Sequence, residues 1–137
     1  MGRVFFNTRV NIDKEACAGT DTYVMKASDS GKTFLVSGGA QAITLLPAAY
    51  LIEGWNCRFI TTASPSGDKV ISAATTIMHG SSANGSGDAG AASDGTAKTS
   101  VTIEAASQAG NFVDIVCDGS LYHISGTHGQ NNATTVQ

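Results

Sequence analysis

GNFVDIVCDGSLYHISG, residues 110–126, reads as two runs of strand-forming residues around a tight turn. Asp118-Gly119 has the composition of a two-residue hairpin loop that needs positive φ. With that loop, Val116 stands opposite Leu121, Ile115 opposite Tyr122, Asp114 opposite His123 and Val113 opposite Ile124. Side chains alternate across a strand, so one face carries Val113, Ile115, Cys117, Tyr122 and Ile124 and is nearly all apolar. The other carries Phe112, Asp114, Val116, Leu121 and His123 and is mixed. A one-residue slip would exchange the faces, which specifies the register. An isolated hairpin is marginal in water, so the remaining chain must supply a sheet for it to join.

The rest of the chain offers such a sheet. Strands are expected over Thr20–Met25, Lys32–Ser37, Gln41–Leu46, Trp55–Ala63, Lys69–Ala74 (on to Met78 at most) and Lys98–Ala105. Gly38-Gly39, Pro47 and the Ser64–Asp68 loop punctuate them. Ala48–Glu53, followed by Gly54, is the one short helix expected. Residues 80–97, GSSANGSGDAGAASDGTA, hold no large apolar side chain and read as an exposed flexible loop. The expected organisation is an N-terminal arm or first strand over 1–19, a β domain over 20–126 and a polar tail over 127–137. Eight or nine short strands with frequent Gly turns argue an all-β antiparallel sandwich, jelly-roll-like, with a closed barrel as the alternative.

Composition agrees with one domain. The chain has 137 residues, 42% hydrophobic but only 14% charged, with a net charge of -3. That length buries enough surface to fold without disulfide or metal. The low charge gives no basic footprint for nucleic acid. No run of apolar residues is long enough for a membrane helix, and no signal-peptide core is present, so the expected setting is soluble and cytoplasmic. Cys17, Cys57 and Cys117 are far apart without metal-ligand spacing and read as reduced thiols, the latter two half-buried in strands.

Chemistry-bearing patterns are sparse. Of His79, His123 and His128, only His123 falls on an expected strand, where Asp114 opposite would orient it as in a hydrolytic triad. No GxSxG elbow accompanies the pair, and a cross-strand polar contact is the plainer reading. Asn84, Asp88 and Asp94 lack the ordered spacing of a calcium loop. Tyr23, Tyr50, Trp55 and Tyr122 are too scattered to mark a sugar-binding face, and core packing is their expected role. The sequence thus offers no catalytic, cofactor or metal set, and the expectation is a non-enzymatic β module that works through its surface.

From about Tyr23 to Gly126 the chain resembles small structural proteins of tailed-phage virions, head decoration (cement) proteins in particular. The resemblance rests on YVMKASDSGKTFLVSG, AITLLPAA, GWNCRFITTAS and DGTAKTSVTIEAASQAGNFVDIVCDGSLYHISG. Gly54–Phe59 fits the family's G-x-x-x-x-F strand, and Gly110–Tyr122 its late G-x-x-V-x-x-x-x-DG-x-x-[WY] hairpin. An extra Leu precedes Pro47, and Tyr122 stands where Trp is common. The resemblance implies an oligomer, a trimer above all, that binds the major capsid protein on the outside of an assembled head in the host cytoplasm. Rival readings are a receptor-binding, tail-fibre or collar module of the same kind of virion, and a carbohydrate-binding module. Arg3, Phe5, Phe6 and Arg9 are the expected contact residues: adjacent Phe side chains on an arm would form an apolar patch, and Arg is enriched at interfaces.

Overall fold

Short β-branched and aromatic runs separated by Gly fold here into strands too brief to stand alone, and pairing across the chain supplies their stability. The structure is a computed structural model that describes residues 11–74, 78–84, 99–105, 107–128 and 134–136. In chain order the strands are β1 (Asn11–Asp13), β2 (Tyr23–Val24), β3 (Lys32–Val36), β4 (Gln41–Thr44), β5 (Asn56–Thr61) and β6 (Lys69–Ser72). There follow β7 (Met78–Asn84), β8 (Ser100–Ile103), β9 (Phe112–Cys117), β10 (Tyr122–His128) and β11 (Thr134–Val136). They form a six-stranded sheet ordered β1-β3-β5-β9-β10-β7 and a five-stranded sheet ordered β11-β8-β6-β4-β2.

The order shows that the chain coils. From β1 to β9, each strand lies in the opposite sheet to the one before it. The first six make three rungs: β1, β3 and β5 stack in parallel on one side, and β2, β4 and β6 on the other. β8 and β9 then run antiparallel against β6 and β5 and cover the third rung. The all-β, two-sheet architecture expected from the sequence is present. The expected antiparallel pairing is not general: among the described residues five of the nine pairings are parallel. Consecutive strands up to β9 cross between the sheets, and among the described residues only β9 and β10 pair as neighbours in sequence.

Parallel rungs place equivalent residues on one another. Phe34 stands beside Phe59 in register, and their rings stack with centroids 5.2 Å apart. Ile43 stands beside Ile71, both fully buried between the sheets. The crossings must be tight. Gly38 turns with φ 76, and a Cβ there would lie 2.1 Å from the Ala18 carbonyl oxygen of the rung below. Beside it, the Ser37 N–H donates to the Cys17 carbonyl at 3.2 Å. Only a residue without a Cβ permits this approach.

At the top of the stack, Trp55 and Tyr122 meet edge to face, with centroids 6.2 Å apart. The Trp55 indole N–H donates to the Ala27 carbonyl at 3.2 Å, and the Tyr122 hydroxyl donates to the Leu46 carbonyl. Both polar tips are thereby satisfied inside the core, which makes burial of these large rings favourable.

The hairpin keeps its expected faces but not its expected turn. Val113, Ile115, Cys117, Tyr122 and Ile124 all point inward and are buried. Yet Cys117 stands opposite Tyr122, and Asp114 opposite Ser125, two residues from the expected register. The loop is Gly119-Ser120, with Gly119 at φ 89. Asp118 is displaced from the loop because its Oδ1 accepts from the N–H groups of Ser120 and Leu121, at 2.8 and 2.7 Å, which caps the turn from its first position. A two-residue shift conserves facing, which is why the buried set survives it.

Other expectations also change. The short helix is only a 3-10 turn at Ala48–Tyr50, too brief to reach an α-helical ladder before Leu51 turns into the core. The first residues of the expected flexible loop are strand instead: β7 runs to Asn84 and pairs in parallel with β10, main-chain bonding that needs no large side chain. Residues 85–98 lie outside the described residues. The expected polar tail contributes the end of β10 and all of β11, which pairs with β8.

One buried polar ladder ties the first turn of the coil to the next two. Gln41 and Lys69 are neighbours in register and both buried. The Gln41 side-chain amide donates to the Ala16 and Asp21 carbonyls at 2.7 and 2.6 Å. The Lys69 ammonium donates to the Gly19 carbonyl at 2.6 Å and to Gln41 Oε1 at 3.3 Å. Gln41→Leu removes three of these bonds and leaves buried partners unsatisfied, so it should destabilise by about 2–4 kcal/mol in urea titration. An unchanged midpoint would show that the ladder does not hold the β1–β2 connection.

Candidate functional site

The outward face of the six-stranded sheet collects the polar members of its strands. Because β5 and β9 alternate, Asn56, Arg58, Asp114 and Val116 point away from the core while Cys57, Phe59, Val113 and Ile115 point into it. Arg58 and Asp114 are direct partners in the antiparallel register. The guanidinium grips the carboxylate with two parallel bonds, from Nε to Oδ1 and from Nη2 to Oδ2, the second at 2.6 Å. It also lies over the Phe112 ring, 4.9 Å from the centroid. The pair floors a shallow groove of about 420 Å³ that Thr33, Asn56, Val116 and Ser125 help to line. Such a groove offers hydrogen-bonding contacts on a rigid sheet, with its one strong charge pair neutralised internally.

At the coil's edge a second depression of about 450 Å³ lies among Asp13, Glu15, Asp21, Tyr23, Lys26 and Lys32. Beneath it, fully buried Asp29 accepts from the Lys32 ammonium at 2.7 Å, the Lys26 N–H at 2.8 Å and the Tyr23 hydroxyl at 3.0 Å. Burial alone would raise the Asp29 pKa, but these three donors outweigh it and hold the carboxyl below its ordinary value. Lys32 also approaches Asp13 at 3.8 Å. These charges brace the first two rungs against each other.

The expected pairing of Asp114 with His123 does not form. Asp114 is engaged by Arg58, and His123 Nε2 lies 2.7 Å from Asp118 Oδ2 at the exposed hairpin tip. His123 and the turn's backbone N–H groups together pull the Asp118 pKa down to about 2. The shift of the turn by one residue separates the two expected partners. Cys17, Cys57 and Cys117 are free thiols and all buried, more deeply than the half-burial expected of the last two. Burial pushes the Cys17 thiol up to about 12 and Cys57 higher than its ordinary value, the opposite of what an attacking thiolate needs. Among the described residues no group of three or more His, Cys, Asp or Glu side chains is placed to hold a metal ion. Trp55 and Tyr122 are core residues, as expected; Tyr50 instead is exposed.

The expected contact residues Arg3, Phe5, Phe6 and Arg9 lie outside the described residues, as do Asp88 and Asp94. An exposed apolar feature that sequence reading missed lies within them. Tyr50 and Ile52 are 77% and 79% exposed, the most exposed large hydrophobic side chains among the described residues. Between them Leu51 is buried, and Ala48 before them is too. The Tyr50 N–H donates to the Pro47 carbonyl at 2.9 Å, and Leu51 N–H to Ala48 at 3.0 Å. Gly54 turns with φ 90 and donates to the Cys117 carbonyl at 2.9 Å. Two apolar side chains are thus held out on a loop anchored at both ends. The alternation of Tyr50, Leu51 and Ile52 was the available signal, hidden by the helical reading of this segment.

No family model matches the chain, and comparisons with curated proteins and with solved structures give no match.

The buried thiols set a pH limit on the fold. An unfolded chain ionises thiols near the ordinary value of 9.0, whereas folded Cys17 keeps its proton to about 12 and Cys57 is shifted the same way. The folded state then binds more protons, so stability is intact below about pH 9 and falls as pH rises beyond it. Burial also raises Tyr23 and Tyr122, which adds to the fall, while the lowered pKa of Lys69 acts against it. Urea midpoints should be level through neutral pH and decline above pH 9. Cys57→Ala should reduce that decline, by up to about 1.4 kcal/mol per pH unit. A slope identical in the variant would count against the thiol as its source.

Proposed function

We propose that this chain is a non-enzymatic structural protein of a tailed-phage virion, which binds the assembled capsid surface as an oligomer and stabilises the head. The sequence resemblance from Tyr23 to Gly126 supplies the virion and the capsid partner. The observation that carries a binding role is the anchored loop bearing Tyr50 and Ile52, whose exposed apolar side chains suit a protein contact. The charged groups support the same reading. Arg58 with Asp114, Lys32 with Asp29 and His123 with Asp118 are each paired within the chain, as braces rather than as a reactive set.

The energetics fit a lattice binder. Full burial of Tyr50 and Ile52 against a partner is worth about 3–6 kcal/mol before association costs. One such contact is weak, but several on an oligomer meeting a symmetric shell act together. A ligand that binds only the assembled shell stabilises it by mass action.

The test is co-sedimentation with purified expanded phage capsids, scored by copies bound per shell. The wild-type protein should bind in high copy, and the shells should withstand higher temperature. Tyr50→Ser with Ile52→Ser should lose at least tenfold in affinity, yet melt within about 3 °C of wild type, because both side chains are exposed. Absence of capsid binding by the wild type would remove the decoration reading. Binding restricted to glycan arrays or to a few copies at a tail would favour the receptor-binding module.

A further inference from the structure

The entry into β9 is bulged. Gly110 N–H donates to the Thr61 carbonyl at 2.7 Å, and Thr61 N–H donates to the Asn111 carbonyl at 2.8 Å, so two residues of one strand oppose one of the other. Gly110 takes φ 91, and a turn closed by the Asn111 N–H on the Gln108 carbonyl at 3.1 Å leads into it. This is the bulge form that begins with a glycine in the left-handed region. It sets Thr61 and Asn111 side by side on the inner side of the sheet, in line with inward-facing Phe59 and Val113.

Thr61 is 1% exposed and Asn111 8%. Thr61 Oγ1 and Asn111 Nδ2 are both buried, and neither has a hydrogen-bond partner within the protein. Leaving such a group unpaired costs about 1–3 kcal/mol each, and native interiors seldom bear two in one place. We infer that the bulge holds a single buried water, accepting from Asn111 Nδ2 and bonded to Thr61 Oγ1. The chemistry selects a neutral acceptor. An amide N–H can only donate, which excludes a cation as its partner. An anion would need a neighbouring positive charge, but Arg58, the basic side chain of β5, points to the opposite face and is bound to Asp114. Two unpaired polar atoms, buried on residues that face each other across the bulge, are the kind of partners interior water takes.

The water is then an integral part of the device that turns the chain into β9. Crystal structures of the full chain at a resolution that shows ordered solvent test this. Wild type should show one solvent peak about 2.7–3.2 Å from both atoms. Thr61→Ser keeps the hydroxyl and should keep the peak; Thr61→Val keeps the shape and should lose or displace it. A direct bond between Thr61 Oγ1 and Asn111 Nδ2, a dry site in wild type, or an anomalous peak there after a bromide soak would each overturn the inference.

Discussion

Parallel pairing between strands that are not neighbours in sequence is the constraint from which the rest of this structure follows. A strand can lie parallel to its predecessor in a sheet only if the chain has first crossed away and returned. Here each return passes through the opposite sheet, so one set of crossings builds both sheets at once. The inner faces then meet without a separate packing step. Residues in equivalent rungs come into register, which is why Phe34 meets Phe59, Ile43 meets Ile71, and Gln41 meets Lys69. The two apolar ladders fill the core; the polar one secures the connection from the first strand to the second.

Much of this was legible from the sequence, and what was not has a physical cause. Strand positions followed from β-branched runs bounded by Gly and Pro, and β3, β4, β5 and β6 lie where those runs lie. The apolar face of the last hairpin was legible because facing has a period of two, and an error of two residues preserves it. Partnership was not legible. A strand's own residues carry its alternation but not the identity of the strand beside it, and the chain has no repeat of fixed length to reveal the rungs. The turn was misplaced because Asp-Gly suits a hairpin loop by composition, whereas the Asp118 carboxylate is more useful at the corner, binding two N–H groups.

The surface features divide in the same way. Arg58 and Asp114 are far apart in sequence, and only the pairing of β5 with β9 brings them together. No local pattern announces that pair. Tyr50 and Ile52 are nearly adjacent, and a two-residue alternation around buried Leu51 was there to be read. Helix-forming composition in Ala48–Glu53 obscured it. Local preference and final conformation disagree at that point because the crossing from one sheet to the other seats Leu45, Ala48, Leu51 and Trp55 in the core, and tertiary packing there overrides helix propensity.

The coil also has a consequence in time. Local contacts form early because the intervening chain is short, and among the described residues the β9–β10 hairpin is the one place where strands adjacent in sequence pair. Every rung requires closure of a long loop before its first ladder bond forms. The third rung stays open along β5 until β9 arrives, with β6, β7 and β8 lying between them in the chain. A ribosome therefore releases β5 well before its partner. During synthesis the bare edge of that strand is the part of the molecule most in need of protection from wrong pairing.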